Sequence, residues 1–161
     1  MRKPGMRRGK SKYRPWPLSE RPGFLIRRLH QIHVALFQEA CAKFGVTPLQ
    51  YSLLTALAAR KTADQTTLAA DVALDRTTTT GAIKRLAARR LVERAVDQHD
   101  RRARLCKLTA AGRALLTKIE ASARAAHRAT LEELTEQERA TFIELAQRIV
   151  AGNVNRVDVF E

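Results

Sequence analysis

The sequence predicts a mainly α-helical fold built around a winged helix-turn-helix, with long helices before and after it. Three observations point there. Apolar residues recur at steps of three and four over most of the 161 residues. Two short capped helices follow one another and lead into a pair of strands joined by a charged turn. Basic residues gather on the second short helix and on that hairpin.

The first helix is expected over 22–44. Leu25, Leu29, Ile32, Leu36 and Ala40 form its stripe, Pro22 suits a first turn and Gly45 suits the stop. Phe37, Cys41 and Phe44 widen the apolar face, as expected of a helix at a subunit interface. Thr47, Pro48 and Gln50 spell a capping box that opens a second helix over 48–60. Thr66 or Thr67 is expected to open a short helix through Leu68, Ala69 and Val72, and Asp75 to cap the next, 76–89, which buries Ile83 and Leu86. Strands at Leu91–Val96 and Arg104–Leu108 enclose a polar turn at Asp97–Arg101. Thr109 caps a long helix, Thr135 with Glu138 forms a second capping box, and Gly152 ends the last helix, 136–151. There is no internal repeat. The organisation is therefore a flexible basic arm over 1–21, one domain over 22–152 with its winged helix-turn-helix at 48–109, and a tail over 153–161.

Composition bounds the function. Lys+Arg 30 against Asp+Glu 16 gives a formal net charge of +14, a positive field suited to nucleic acid first and to an anionic membrane surface second. No apolar run has a membrane helix's length and no apolar stretch follows the N-terminal basic residues, so a cytoplasmic location is expected, with no membrane partner. Cys41 and Cys106 stand far apart with no zinc spacing, which argues against a disulfide scaffold, a zinc finger or a resident metal. Aromatic residues are scarce and do not form stacking platforms, so duplex DNA is favoured over RNA. No nucleophile, base and orienting acid form a recognisable motif; neither an enzyme nor a cofactor is expected.

The candidate DNA-contacting residues are Arg76, Thr77, Thr78, Thr79, Thr80, Lys84 and Arg85 on the helix, and Arg101, Arg102 and Arg104 on the hairpin. A helix of this kind enters the major groove, where short hydroxylated side chains near its N-terminus reach phosphates, base edges and thymine methyls. The four consecutive threonines are poor helix formers, and a contact role offsets that cost. The alternative is that they only cap and fill a helix start. An arginine at a narrow hairpin tip suits the minor groove.

The segment from Leu68 to Gly112 resembles the MarR family of winged-helix transcription regulators. The motif reads Leu86-Ala87-Ala88-Arg89-Arg90-Leu91-Val92-Glu93-Arg94, then Asp100-Arg101-Arg102-Ala103-Arg104, then Lys107-Leu108-Thr109-Ala110-Ala111-Gly112, and the element order matches from Pro22 to Gly152. The resemblance implies a homodimer held by dimerisation helices at 22–44 and 110–151, bound to a pseudo-palindromic operator and usually repressing. It also implies that Arg102 is the wing-tip arginine, held by Asp100. Arg90 departs from the pattern, standing where the family usually has glycine. A left-handed conformation costs other residues about 1–2 kcal/mol, so the helix end is expected to differ locally.

Many family members release DNA when a small aromatic acid or phenol binds between the dimerisation helices and the winged helix. Arg27, His30 and His33 recur at three-residue steps within about a third of the first helix's circumference, and could converge on one carboxylate or phenolate. Tyr51 could add a hydroxyl or a ring face. The alternative is a solvated arginine beside histidines satisfied at the interface. The Arg-to-His spacing resembles that of relatives that answer aromatic acids, and the chain as a whole is similar to repressors of nicotinic acid catabolism. Two other functions remain open: a non-specific architectural DNA-binding protein, and a redox sensor using Cys41, although an inert buried cysteine fits that position better. His30 with His33 is a helical pair lacking a third metal ligand, and His99 and His127 have no partner legible in the sequence.

Overall fold

The computed structural model describes residues 16–96 and 104–153. The wing tip at 97–103, most of the expected basic arm and the tail beyond Asn153 lie outside the described residues, and with them Asp100, Arg101 and Arg102.

A 3-10 turn at Leu18–Glu20 precedes α1, Pro22–Cys41. The expected first helix ends in two parts, because its last turn tightens to a 3-10 helix at Ala42–Phe44 before Gly45 turns left-handed at φ 61°. Helix α2, Pro48–Arg60, starts on the capping box read from the sequence: Gln50 N donates to Thr47 Oγ1 and Thr47 N donates to Gln50 Oε1. Helix α3 is Gln65–Asp71, and its cap corrects the expectation. Asp64, rather than Thr66 or Thr67, accepts both their backbone N–H groups through Oδ1, because a carboxylate also favours the positive end of the helix. Asp75 caps α4, Arg76–Ala88, as expected.

Strands β2, Val92–Val96, and β3, Arg104–Leu108, pair antiparallel. A third strand, β1 at Thr62–Ala63, pairs with the other edge of β3 and was not legible in the sequence. Two residues are too few to show alternation. Helices α5, Ala110–Ala129, and α6, Glu136–Ala151, complete the chain, the latter on the Thr135/Glu138 capping box.

Two clusters make the core. One holds the winged helix together through Leu53, Leu54 and Leu57 of α2, Leu68 of α3, Ile83 and Leu86 of α4, and Val92, Cys106 and Leu108 of the sheet. The other joins α1 to α5 through Phe37, Cys41, Val46, Ile119, Ala123 and Ala126. Leu115 and Leu116 of α5 pack against both, so this helix links the two clusters. Gly112 at its start touches the chain before β2, where an added Cβ would lie 2.1 Å from Leu91 O. Much apolar surface stays uncovered. Leu25, Ile26 and Ile32 of α1 are exposed, as are Phe142, Ile143, Leu145, Ile149 and Val150 of α6, a helix with no buried residue.

Arg90 keeps the left-handed conformation, at φ 57°, so the expected local change of the helix end does not occur. Its amide donates to Ala87 O and its carbonyl accepts from Thr109 Oγ1, which pin the turn on both sides. No described helix is long and apolar enough to cross a membrane.

Candidate nucleic-acid interface and effector site

Asp75 fixes the start of α4 by accepting Thr78 N at 2.8 Å, and its carboxyl is held below the usual range by the Thr78 side chain and by backbone N–H groups. On the helix it starts, Arg76, Thr77, Thr78, Lys84 and Arg85 are exposed. Thr77, Thr80, Gly81 and Lys84 share one face by their three- and four-residue steps. Thr79 points the other way and is fully buried, with its hydroxyl unpartnered. It cannot reach DNA, which corrects the sequence expectation: one position of a four-threonine run must face the core. Thr80 is half-buried and its hydroxyl donates to Gln65 Oε1 at 3.2 Å, so α3 holds it. Arg104 is exposed at the start of β3.

On α1, Arg27 and His30 are exposed while His33 is half-buried and turns toward α5. His33 Nδ1 lies 2.9 Å from Thr130 Oγ1, and that hydroxyl donates to Ala126 O at 2.8 Å. With its proton so committed, Thr130 accepts from Nδ1–H, which leaves Nε2 of His33 as a hydrogen-bond acceptor. Burial first, then the adjacent His127 and His30, push His33 below its ordinary pKa and favour its neutral form. His127 stacks on it with ring centroids 4.7 Å apart, a partnership that only the tertiary fold creates.

Tyr51 sits apart from this group. Its hydroxyl donates to Glu120 Oε2 at 2.9 Å, Arg124 Nε pairs with the other oxygen of Glu120, and Phe37 stands between Tyr51 and His33 with centroids 5.5 Å and 6.2 Å away respectively. Tyr51 also edges an open cleft of about 540 Å³ with Ser52, Thr55, Ala56, Ala59, Arg60 and Asp71. That cleft contains none of Arg27, His30 or His33, so it does not bring the four residues together. The missed participants are Glu120, His127 and Thr130 of the α5 region. They carry no local signal, because helical periodicity says which face they share and not what covers it.

Cys41 is completely buried and burial raises its thiol pKa, both of which disfavour the thiolate that a redox sensor needs. Cys106 is likewise buried, in the core as the strand alternation suggested.

Residues 44–103 match the MarR family. Over 141 residues the chain is 31% identical to the HTH-type transcriptional repressor NicR of Pseudomonas putida, covering 88% of this chain and 89% of that one. Among solved structures it is similar to Bordetella bronchiseptica BpsR, whose DNA binding is regulated by 6-hydroxynicotinic acid: 33% identity, TM-score 0.79, covering 84% of this chain and 96% of that one. It is also similar to the PcaV transcriptional regulator of Streptomyces coelicolor in complex with its natural ligand: 30% identity, TM-score 0.76, covering 86% and 97%. With its two-helix reading head, three-stranded wing and flanking helices, the chain belongs to the MarR family of winged-helix transcriptional regulators.

Proposed function

We propose that this protein is a cytoplasmic homodimeric repressor that binds a pseudo-palindromic operator and leaves it when a small aromatic carboxylate, 6-hydroxynicotinate being the first to try, binds beside α1. The observation that carries the DNA half is the outer face of α4, where Arg76, Thr77, Thr78, Lys84 and Arg85 are exposed on a helix whose other face is locked into the core. The uncovered apolar residues of α1 and α6 support a dimer, since faces of that size are normally covered by a partner. NicR's name as a repressor and the 6-hydroxynicotinic acid regulation of BpsR support the effector half.

The chemistry beside α1 supports the same class of ligand. Arg27 offers a planar fork for a carboxylate, and the Nε2 lone pair of His33 accepts from a ring hydroxyl or ring N–H. Such an acid releases DNA if it binds better to a dimer whose recognition helices miss the half-site spacing of about 34 Å. Asp100, Arg101, Arg102 and Arg104 complete the reading as the wing that enters the flanking minor groove.

Selection of binding sites from random duplex tests the DNA half. A two-fold symmetric site should emerge and bind about 10³–10⁷ times more tightly than random duplex. No enrichment would favour an architectural DNA-binding protein instead.

A further inference from the structure

The α4 residue with the most definite long-range partner is one the DNA face does not use. Arg89 is the C-terminal cap residue of α4. Its guanidinium turns back across the molecule: Nη1 donates to Gly45 O and Nη2 donates to Phe44 O at 3.0 Å. Those carbonyls end the 3-10 turn that continues α1, where unpaired acceptors and the negative end of the helix dipole collect. A planar fork suits two successive carbonyls, and Gly45 takes the left-handed φ of 61° that ends the turn where the fork lands. Among the described residues no other side-chain hydrogen bond joins 22–45 to α4. The core residues of α1 and α4 fall in separate clusters.

We propose that Arg89 is a positioning residue: it ties the end of α1 to the end of α4 and passes movement of the effector-binding, dimerising helix to the helix that reads DNA. This rests on the role given to α1 above. A shift of α1 would either carry α4 with it through the fork or break the fork and free α4. In both cases the spacing of the two recognition helices follows the state of α1. In this role Arg89 acts through the two carbonyls it grips and not through a phosphate.

The test uses full-length Arg89→Met, with Arg89→Lys as the conservative variant, which can still reach one carbonyl. Three quantities are compared with the parent: affinity for the selected operator, affinity for random duplex across a salt series, and the change in operator affinity on adding 6-hydroxynicotinate. Calorimetry gives 6-hydroxynicotinate binding to the free protein. The expected result for Arg89→Met is operator affinity lower by about tenfold, unchanged random-duplex affinity and salt slope, and an acid effect at least about fivefold smaller although the acid still binds the free protein as before. Arg89→Lys should fall between, and if Arg89→Met does not fold it carries the test alone. Equal losses on both duplexes with a shallower salt slope would make Arg89 a phosphate ligand and overturn the proposal. So would a lower melting temperature with every binding quantity unchanged. If the acid does not release the parent, the effector reading fails, and the operator against random-duplex comparison still decides the role of Arg89.

Discussion

His33 Nδ1 and Thr130 Oγ1 stand 2.9 Å apart, joining the middle of α1 to the residue that ends α5. Thr130 and the stacked His127 hold the ring from α5, and His30 faces it from its own helix. A neutral His33 is what this environment accommodates, and its pH dependence follows.

Since the folded-state pKa of His33 lies below its ordinary value of 6.5, the unfolded chain takes up the proton first as pH falls. The contribution is therefore complete above about 6.5 and diminishes as pH drops from there toward the folded-state value. His33→Asn keeps a hydrogen-bonding group near Nδ1 and does not titrate. The melting-temperature advantage of the parent over this variant should shrink between pH 8 and pH 5.5. Parallel profiles would contradict a neutral, desolvated His33.

Thr79 separates reading from folding within the threonine run. Thr79→Val keeps the shape and removes a buried hydroxyl without a partner, so stability should hold or rise by about 1 kcal/mol. Discrimination among operator variants should not change, whereas Thr77→Ala should erode it. A loss of discrimination in Thr79→Val would show that this residue reaches DNA.

Two glycine exchanges have opposite signs. Gly112→Ala would force a Cβ against Leu91 O, and the shift between α5 and the wing should cost about 1–3 kcal/mol. Arg90→Gly relieves a left-handed arginine, gaining about 1 kcal/mol after the added freedom of the unfolded chain is counted. Chemical denaturation of both variants measures this. A neutral Gly112→Ala would mean that the contact is not close.

Those residues also show what was legible in the chain. Capping boxes at Thr47 and Thr135, the Asp75 cap and the stripe on α1 are local chemistry, so they could be read directly. The burial of Thr79, the Arg89 fork and the His33, His127 and Thr130 group depend on which helix covers which face. The Asp64 cap is masked in the sequence by Thr66 and Thr67, also good caps, which follow it closely and whose amides both donate to its carboxylate. The two-residue β1 exists only because β3 offers an edge to pair with.

In the proposed function a DNA-reading dimer gives up its operator to an aromatic carboxylate bound beside α1. Fluorescence anisotropy of the labelled, selected operator tests it most directly, with 6-hydroxynicotinate added to the parent and to Arg27→Ala and His33→Ala. The acid should release the parent, while both variants should bind operator as the parent does and need far more acid for release. Release of all three proteins at the same acid concentration, or of none, would contradict the account.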